Sequence, residues 1–288
     1  MKTALVTGLR GKTGRHVATA LAGRKGVAVR GAARSASDSS IPGVEVTRFD
    51  WGEPASWPAT VAGIEAIYLV KPKTADPAGT VASFLRRAGS LERVVLLSEI
   101  DAGNRDEAAE ERKVEKVIES LPIAWTILRP NWFAQNFSEP SFYLEALRDA
   151  GELKVPTGGQ PTSFVDTRDI ADVAVAALLD SGHAGQSYTL TGPRALRWAE
   201  VAASIGEAAG HQVRYVDPPL SDYLGALSDK GTAKATVDYY ERIYASIRQG
   251  RTSIISVEVE QVTGHPARNF FDFVEENKNV WRRASAPH

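Results

Sequence analysis

The chain has 288 residues, 43% of them hydrophobic and 24% charged, with a formal net charge of −1. That balance supports a large buried core in one large or two small domains. It argues against a general role on nucleic acid or on a membrane surface. There are no cysteines, which excludes disulfides, cysteine nucleophiles and thiolate metal sites.

Residues 1–7 read as a short apolar strand, so no secretory leader is expected. No apolar run approaches the ~20 residues of a membrane span, and a cytoplasmic protein is the expectation. Residues 5–14, LVTGLRGKTG, then pose a choice. Gly11-Lys12-Thr13 ends like a nucleoside-triphosphate P-loop, but that motif needs glycine where Val6 stands. Gly8, Gly11 and Gly14 instead space a G-x-x-G-x-x-G turn between a strand and the helix expected to start at 16–21. Such a turn sets backbone N–H groups and a helix N-terminus against a pyrophosphate.

A second strand is expected at 27–33 (VAVRGAA) and a third at 44–49 (VEVTRF). Where the second strand ends, NAD-binding folds carry an acid for the ribose 2′-OH, and NADP-binding folds an arginine for the 2′-phosphate. Here Arg34 and Ser35 stand in that place, with Arg30 nearby, so NADP(H) is expected over NAD(H). Further strands are expected at 64–70, 93–97 and 124–128, with helices at 79–88 and 106–121 between them. Buried strands alternating with helices predict an α/β fold, a Rossmann-like doubly wound parallel sheet. Helices at 167–179, 199–209, 238–248 and 269–282 and a strand at 187–190 follow. The expected organisation is a dinucleotide-binding domain over 1–150, taking in about 163–185, and a smaller discontinuous substrate lobe over 151–288. The five histidines are scattered, and no metal site is expected.

The segments VTGLRGKTG, AWTILRPNWFAQNFSE (124–139), FVDTRDIADVAVAALLD (164–180) and GQSYTLTGP (185–193) together resemble the NmrA-like branch of the atypical short-chain dehydrogenases/reductases. That branch includes NADPH-dependent quinone oxidoreductases, azoreductase-like proteins and imine reductases of the festuclavine synthase type, and also redox sensors that bind the dinucleotide without catalysis. The resemblance implies that Leu9, Arg10, Lys12 and Thr13 line the pyrophosphate with the glycines. It implies that Asp50 and Trp51 touch adenine and that Val70, Lys71 and Pro72 border the adenosine ribose. Ser98 and Glu99 then lie near the nicotinamide, and Asn131, Trp132 and Phe133 contact nicotinamide and substrate. Asp166 and Asp169 match a family motif, as turn and helix-cap residues.

One part of the superfamily pattern is missing. None of the eight tyrosines is followed by lysine four residues later, so the Y-x-x-x-K proton donor is absent. Aligning back from 125–128 puts Glu111 where atypical relatives carry lysine or histidine. Glu111, Ser98 and Asn131 are therefore the candidate catalytic groups, although a glutamate at a helix start also simply suits the helix dipole. A quinone or iminium ion needs less proton assistance than an unactivated ketone. The expected function is NADPH-dependent hydride transfer to a quinone, iminium ion or conjugated carbonyl, with secondary metabolism as the expected setting. The alternatives are a non-catalytic NADP-binding sensor or a redox-neutral lyase, cyclase or epimerase. The expected partner is a small molecule, with the chain a monomer or homodimer.

Overall fold

The computed structural model describes residues 2–35, 41–140 and 142–283. Residues 36–40, beyond the expected second strand, lie outside the described residues. In chain order the elements are β1 (Lys2–Val6), α1 (Gly14–Ala22), β2 (Val27–Ala33), β3 (Val44–Arg48), α2 (Trp57–Val61), β4 (Ala66–Val70), α3 (Pro77–Leu85), β5 (Arg93–Leu97), α4 (Glu110–Glu119), β6 (Ala124–Pro130), β7 (Glu152–Lys154), α5 (Thr167–Leu179), β8 (Gln186–Leu190), α6 (Trp198–Ala209), β9 (Arg214–Val216), α7 (Leu220–Asp229), α8 (Lys234–Arg248), α9 (Glu258–Thr263) and α10 (Phe270–Asn277). They fall into two compact units. The first holds Met1–Pro130, Thr167–Leu190 and Glu258–His265; the second holds Asn131–Asp166, Thr191–Val257 and Pro266–His288.

The first unit is built on a seven-stranded sheet in the order β3-β2-β1-β4-β5-β6-β8, with every pair parallel. This is the Rossmann-like doubly wound arrangement, and its order reverses between β1 and β4, where ligands of open α/β sheets bind at the carboxyl ends. The central strands are buried on both faces: Leu5, Ile67 and Val94 on one, and Val6, Tyr68, Val95 and Leu128 on the other, have no accessible surface. At β2, Gly31 is dictated by packing. A Cβ there would come within 2.5 Å of Leu9 Cδ2.

The second unit carries α6, α7, α8, α10 and a two-stranded parallel sheet of β7 and β9. Its core is aromatic. Phe137 packs against Tyr143, Phe164, Trp198 and Phe270 at centroid distances of 5.2–5.7 Å. Residues 131–150, expected with the first domain, belong to this second unit. The reason is physical: Phe137, Tyr143, Leu144 and Leu147 bury themselves in its core.

Candidate active site

The glycine turn joins β1 to α1. Gly8 has φ +66°, a conformation that costs a side-chain-bearing residue about 1–2 kcal/mol. Its carbonyl accepts from Gly11 N at 2.8 Å. Gly14 opens α1 so close to that carbonyl that a Cβ would sit 2.2 Å from Gly8 O. A side chain at position 14 is therefore sterically excluded. Thr7, fully buried, ties the turn to the sheet: its hydroxyl donates to Tyr68 O (3.1 Å) and accepts from Val70 N (2.8 Å).

The first turn of α1 has no acidic residue, and Thr13 makes no side-chain cap. The positive end of the helix dipole is thus uncompensated by a neighbouring carboxylate on the helix itself. Arg10 is exposed and donates from Nη2 to Ser35 O at 2.8 Å, linking the turn to the end of β2. Arg34 is exposed at that same strand end, and Lys12 is half-buried. A cradle that only glycine can form, an anion-favouring helix end and these cations fit the pyrophosphate and 2′-phosphate of a dinucleotide. The side chain of Leu9 is 1% exposed and packs on Gly31, so only its backbone can line a ligand. Arg30 is committed elsewhere, donating to Thr60 O (3.0 Å) and Ala62 O (2.9 Å) at the end of α2.

Asp50 and Trp51 follow β3. Asp50 Oδ1 accepts from Gly52 N (2.8 Å), forming a tight turn, while Trp51 is half-buried in an aromatic group with Phe49 (4.7 Å) and Phe84 (5.0 Å). Val70, Lys71 and Pro72 continue β4, with Val70 Cγ2 against Gly8.

The ends of β4, β5 and β6 share a buried charge network. Lys71 Nζ donates to Glu110 Oε1 (2.6 Å) and Glu111 Oε1 (2.9 Å). Burial pulls the Lys71 ammonium down, but the two carboxylates outweigh it and hold it above its ordinary value. Glu111 is 5% exposed, and its second oxygen accepts from Arg105 Nη1 at 2.8 Å. Arg105 also grips Glu99 (3.0 Å) and Asp101. Both oxygens of Glu111 thus face a cation.

Ser98, at the end of β5, donates its hydroxyl to Glu115 Oε1 at 2.7 Å. Glu115 has no accessible surface. Arg129, on β6, holds it from both oxygens: Nε to Oε1 (2.9 Å) and Nη2 to Oε2 (2.8 Å). Arg112 adds a contact to Oε2 at 2.7 Å. Burial pushes the Glu115 carboxyl up, but the hydrogen bonds from Arg129 and Ser98 and the arginine charges prevail and hold it below the ordinary carboxylate value. Glu115, Arg105 and Arg129 were not singled out in the sequence. Their signals were there: Glu111 and Glu115 lie four apart on the apolar side of α4, and Arg129 interrupts an apolar strand run.

In the second unit, Asn131 is 3% exposed and its amide is fully engaged. Nδ2 donates to Ser163 Oγ and Thr252 O, both at 2.7 Å, and Oδ1 accepts from Trp132 N at 2.9 Å. Trp132 stacks on Tyr244 (5.9 Å) and meets Trp198 edge-on (5.4 Å), and Phe133 bridges to Val165. Asp166 accepts from Gln135 Nε2 at 2.9 Å, as a turn residue would, and Asp169 lies fully buried in the first turn of α5. No metal site is expected from the sequence, yet His265, which pairs with Asp172 at 3.3 Å, brings a ligand atom within 4.8 Å of those of Asp172 and Asp169. Among the described residues no helix is long and apolar enough to cross a membrane.

Comparison with known proteins places the chain in a family. The NAD(P)H-binding family matches residues 8–181. NAD(P)H azoreductase of Xenophilus azovorans is 33% identical over 252 residues, covering 86% of this chain and 87% of its own. Prestalk A differentiation protein A of Dictyostelium discoideum is 29% identical over 280 residues, covering 94% and 91%. The crystal structure of the NADPH-dependent quinone oxidoreductase QOR2 of Escherichia coli, complexed with NADPH, superimposes with a TM-score of 0.81 at 20% identity, over 95% of this chain and 99% of that one. NmrA and festuclavine synthases also figure among the matches, in keeping with the NmrA-like resemblance.

Proposed function

The chain belongs to the NAD(P)H-binding family, and from that premise we propose that it is an NADPH-dependent reductase of an electron-poor small molecule: a quinone, an iminium ion or a conjugated carbonyl. The observation that carries the cofactor reading is the turn in which Gly14 and Gly8 close to a distance no Cβ tolerates, beside exposed Arg10 and Arg34. In this reading the turn and α1 hold the pyrophosphate, and Arg34, with Arg10 beside it, takes the 2′-phosphate. Asp50 and Trp51 border the adenine, Val70 to Pro72 the ribose, and Ser98 and Glu99 the nicotinamide. Trp132 and Phe133 remain the proposed substrate contacts, with Asn131 holding their backbone in place.

When bound, NADPH supplies a hydride. What the chain's own residues do is position and compensate charge. Glu111 spans Lys71 and Arg105, so a proton on either of its oxygens would cost one of two ion pairs, and we assign it no proton transfer. An acceptor that tolerates the lack of an enzymatic acid suits this site, which is why the proposal favours quinones and iminium ions. The name of one structural neighbour, a quinone oxidoreductase, points to an acceptor of this kind.

The test is a panel of quinones and cyclic imines at saturating NADPH, with NADPH oxidation followed by absorbance, beside Kd values for NADPH and NADH in the intact protein and in Arg34→Ala. Turnover of at least one panel member is expected, together with an NADPH preference that falls roughly tenfold or more when the arginine–phosphate contact is removed. Tight NADPH binding with no turnover across the panel would support the dinucleotide sensor instead. Equal affinity for both cofactors, unchanged in Arg34→Ala, would overturn the NADPH assignment.

A further inference from the structure

We propose that Glu115 fixes the direction of the Ser98 hydroxyl, so that Ser98 presents an acceptor at the end of β5 and reads the carboxamide N–H of a nicotinamide. The inference rests on the proposed cofactor reading and goes beyond it by giving Ser98 a polarity and Glu115 a positioning role.

The direction of the Ser98–Glu115 bond follows from valence. The Glu115 oxygens accept four hydrogen bonds: from Ser98, twice from Arg129, and from Arg112. Guanidinium groups keep their protons in proteins, and an ionised carboxylate only accepts. Fully buried between two arginines, Glu115 is held in that ionised form. The proton in the 2.7 Å contact therefore belongs to Ser98. A serine hydroxyl has one proton and two lone pairs. With the proton spent on Glu115, what Ser98 offers outward is an acceptor.

The position is as firmly set as the polarity. Ser98 N donates to Leu128 O at 2.8 Å, extending the β5–β6 ladder by one residue. Arg129 sits flat against Gly103, where a Cβ would come within 2.4 Å of its guanidinium carbon, so the arginine that grips Glu115 cannot swing away on that side. Ser98 itself is only half-buried, and its hydroxyl keeps two lone pairs beyond the proton it donates. An oxyanion developing on a reduced carbonyl needs a donor, and Ser98 in this state cannot supply one. The amide group of a carboxamide needs an acceptor, and Ser98 can. The hydroxyl thus reads cofactor and transfers no proton.

The test compares two cofactors by calorimetry: NADPH and its acetylpyridine analogue, in which a methyl ketone replaces the carboxamide and no N–H remains. The proteins are the intact chain, Ser98→Ala, Ser98→Thr and Glu115→Gln. The intact chain should prefer NADPH over the analogue roughly five- to tenfold, the worth of one net hydrogen bond. Ser98→Ala should lose that preference, and Ser98→Thr, which keeps a hydroxyl, should restore it. In Glu115→Gln the amide can donate to Ser98, freeing its proton, so the ratio should move toward the ketone. A general disturbance of the fold would weaken both cofactors and leave their ratio unchanged. If Glu115→Gln does not fold, the alanine and threonine variants still decide. A wild-type ratio in Ser98→Ala would overturn the inference while leaving the cofactor reading intact. No NADPH binding by the intact chain would overturn the cofactor reading, and this inference with it.

Discussion

Glu111→Gln separates a catalytic acid from a structural bridge. The carboxylate is 5% exposed and bridges Lys71 (2.9 Å) and Arg105 (2.8 Å). Breaking a buried ion pair by removing one partner costs about 3–5 kcal/mol when the other is left uncompensated. Neither cation is left so here: Lys71 keeps Glu110 at 2.6 Å, and Arg105 keeps Glu99 at 3.0 Å and Asp101. Glutamine also keeps one accepting oxygen. We therefore expect a loss of about 2 kcal/mol. At ~2–4 °C per kcal/mol for chains of this order of size, that is a Tm drop of about 4–8 °C. A general acid, by contrast, contributes roughly 10²–10⁴-fold to rate. Thermal unfolding by circular dichroism reads the first quantity, and kcat at saturating NADPH and quinone reads the second. If Glu111 is a bridge, Tm falls by the stated amount and kcat changes by less than about tenfold. A kcat loss of a hundredfold or more, with Tm and NADPH affinity unchanged, would refute this reasoning and restore Glu111 as the proton donor.

Two further outcomes follow from the same geometry. Because the Glu115 carboxyl is held below its ordinary value in the folded chain, its contribution is complete above the unfolded glutamate value of about 4.3 and is lost as pH falls through the lower folded value. Urea denaturation should accordingly show Glu115→Gln about 3–5 kcal/mol less stable at neutral pH, with the gap to the intact chain narrowing as the solution is acidified below about pH 4.3; a gap that widens on acidification would show the sign to be wrong. Gly14→Ala forces a Cβ to within 2.2 Å of Gly8 O, so the turn must open. NADPH affinity should drop at least about tenfold in the folded variant, and Tm should fall as well, since Gly14 is buried against the Gly8 backbone; calorimetry showing unchanged affinity would mean that the turn is not the pyrophosphate cradle.

Much of the first unit was legible because its signals are local. The strand expected at 93–97 is β5 to the residue, and the helix expected at 167–179 is α5, because each is an uninterrupted apolar run or stripe. The glycine turn was legible for a similar reason, since its three glycines lie within seven residues. What resisted reading depends on distant partners. Helix α7 lies at 220–229, where no helix is expected from the sequence, because Pro218, Pro219 and Gly231 crowd its ends and none of its residues is fully buried. The short strands β7 and β9 exist only by pairing with each other across some 60 residues. The charge network draws on residues 71, 98–105, 110–119 and 129, and no spacing rule joins them.

That network also sharpens the chemical reading taken from the sequence. The absent Y-x-x-x-K motif says only that one familiar donor is missing. The structure adds that the polar groups gathered at the ends of β4, β5 and β6 are committed to one another. Ser98 spends its proton on Glu115. Glu111 turns both oxygens to cations. Lys71 uses two of its three N–H groups on Glu110 and Glu111, and an ammonium held above its ordinary value surrenders a proton reluctantly. Such a site holds charge in place but offers no ready proton. The acceptors it suits are those whose reduction product is already a weak base, such as a hydroquinone anion that takes its proton from water. An iminium ion, which needs no proton at all, suits it equally. In the proposed function the carboxylates that engage Lys71, Arg105 and Ser98 therefore narrow the choice of substrate, and the acceptor panel tests that narrowing directly.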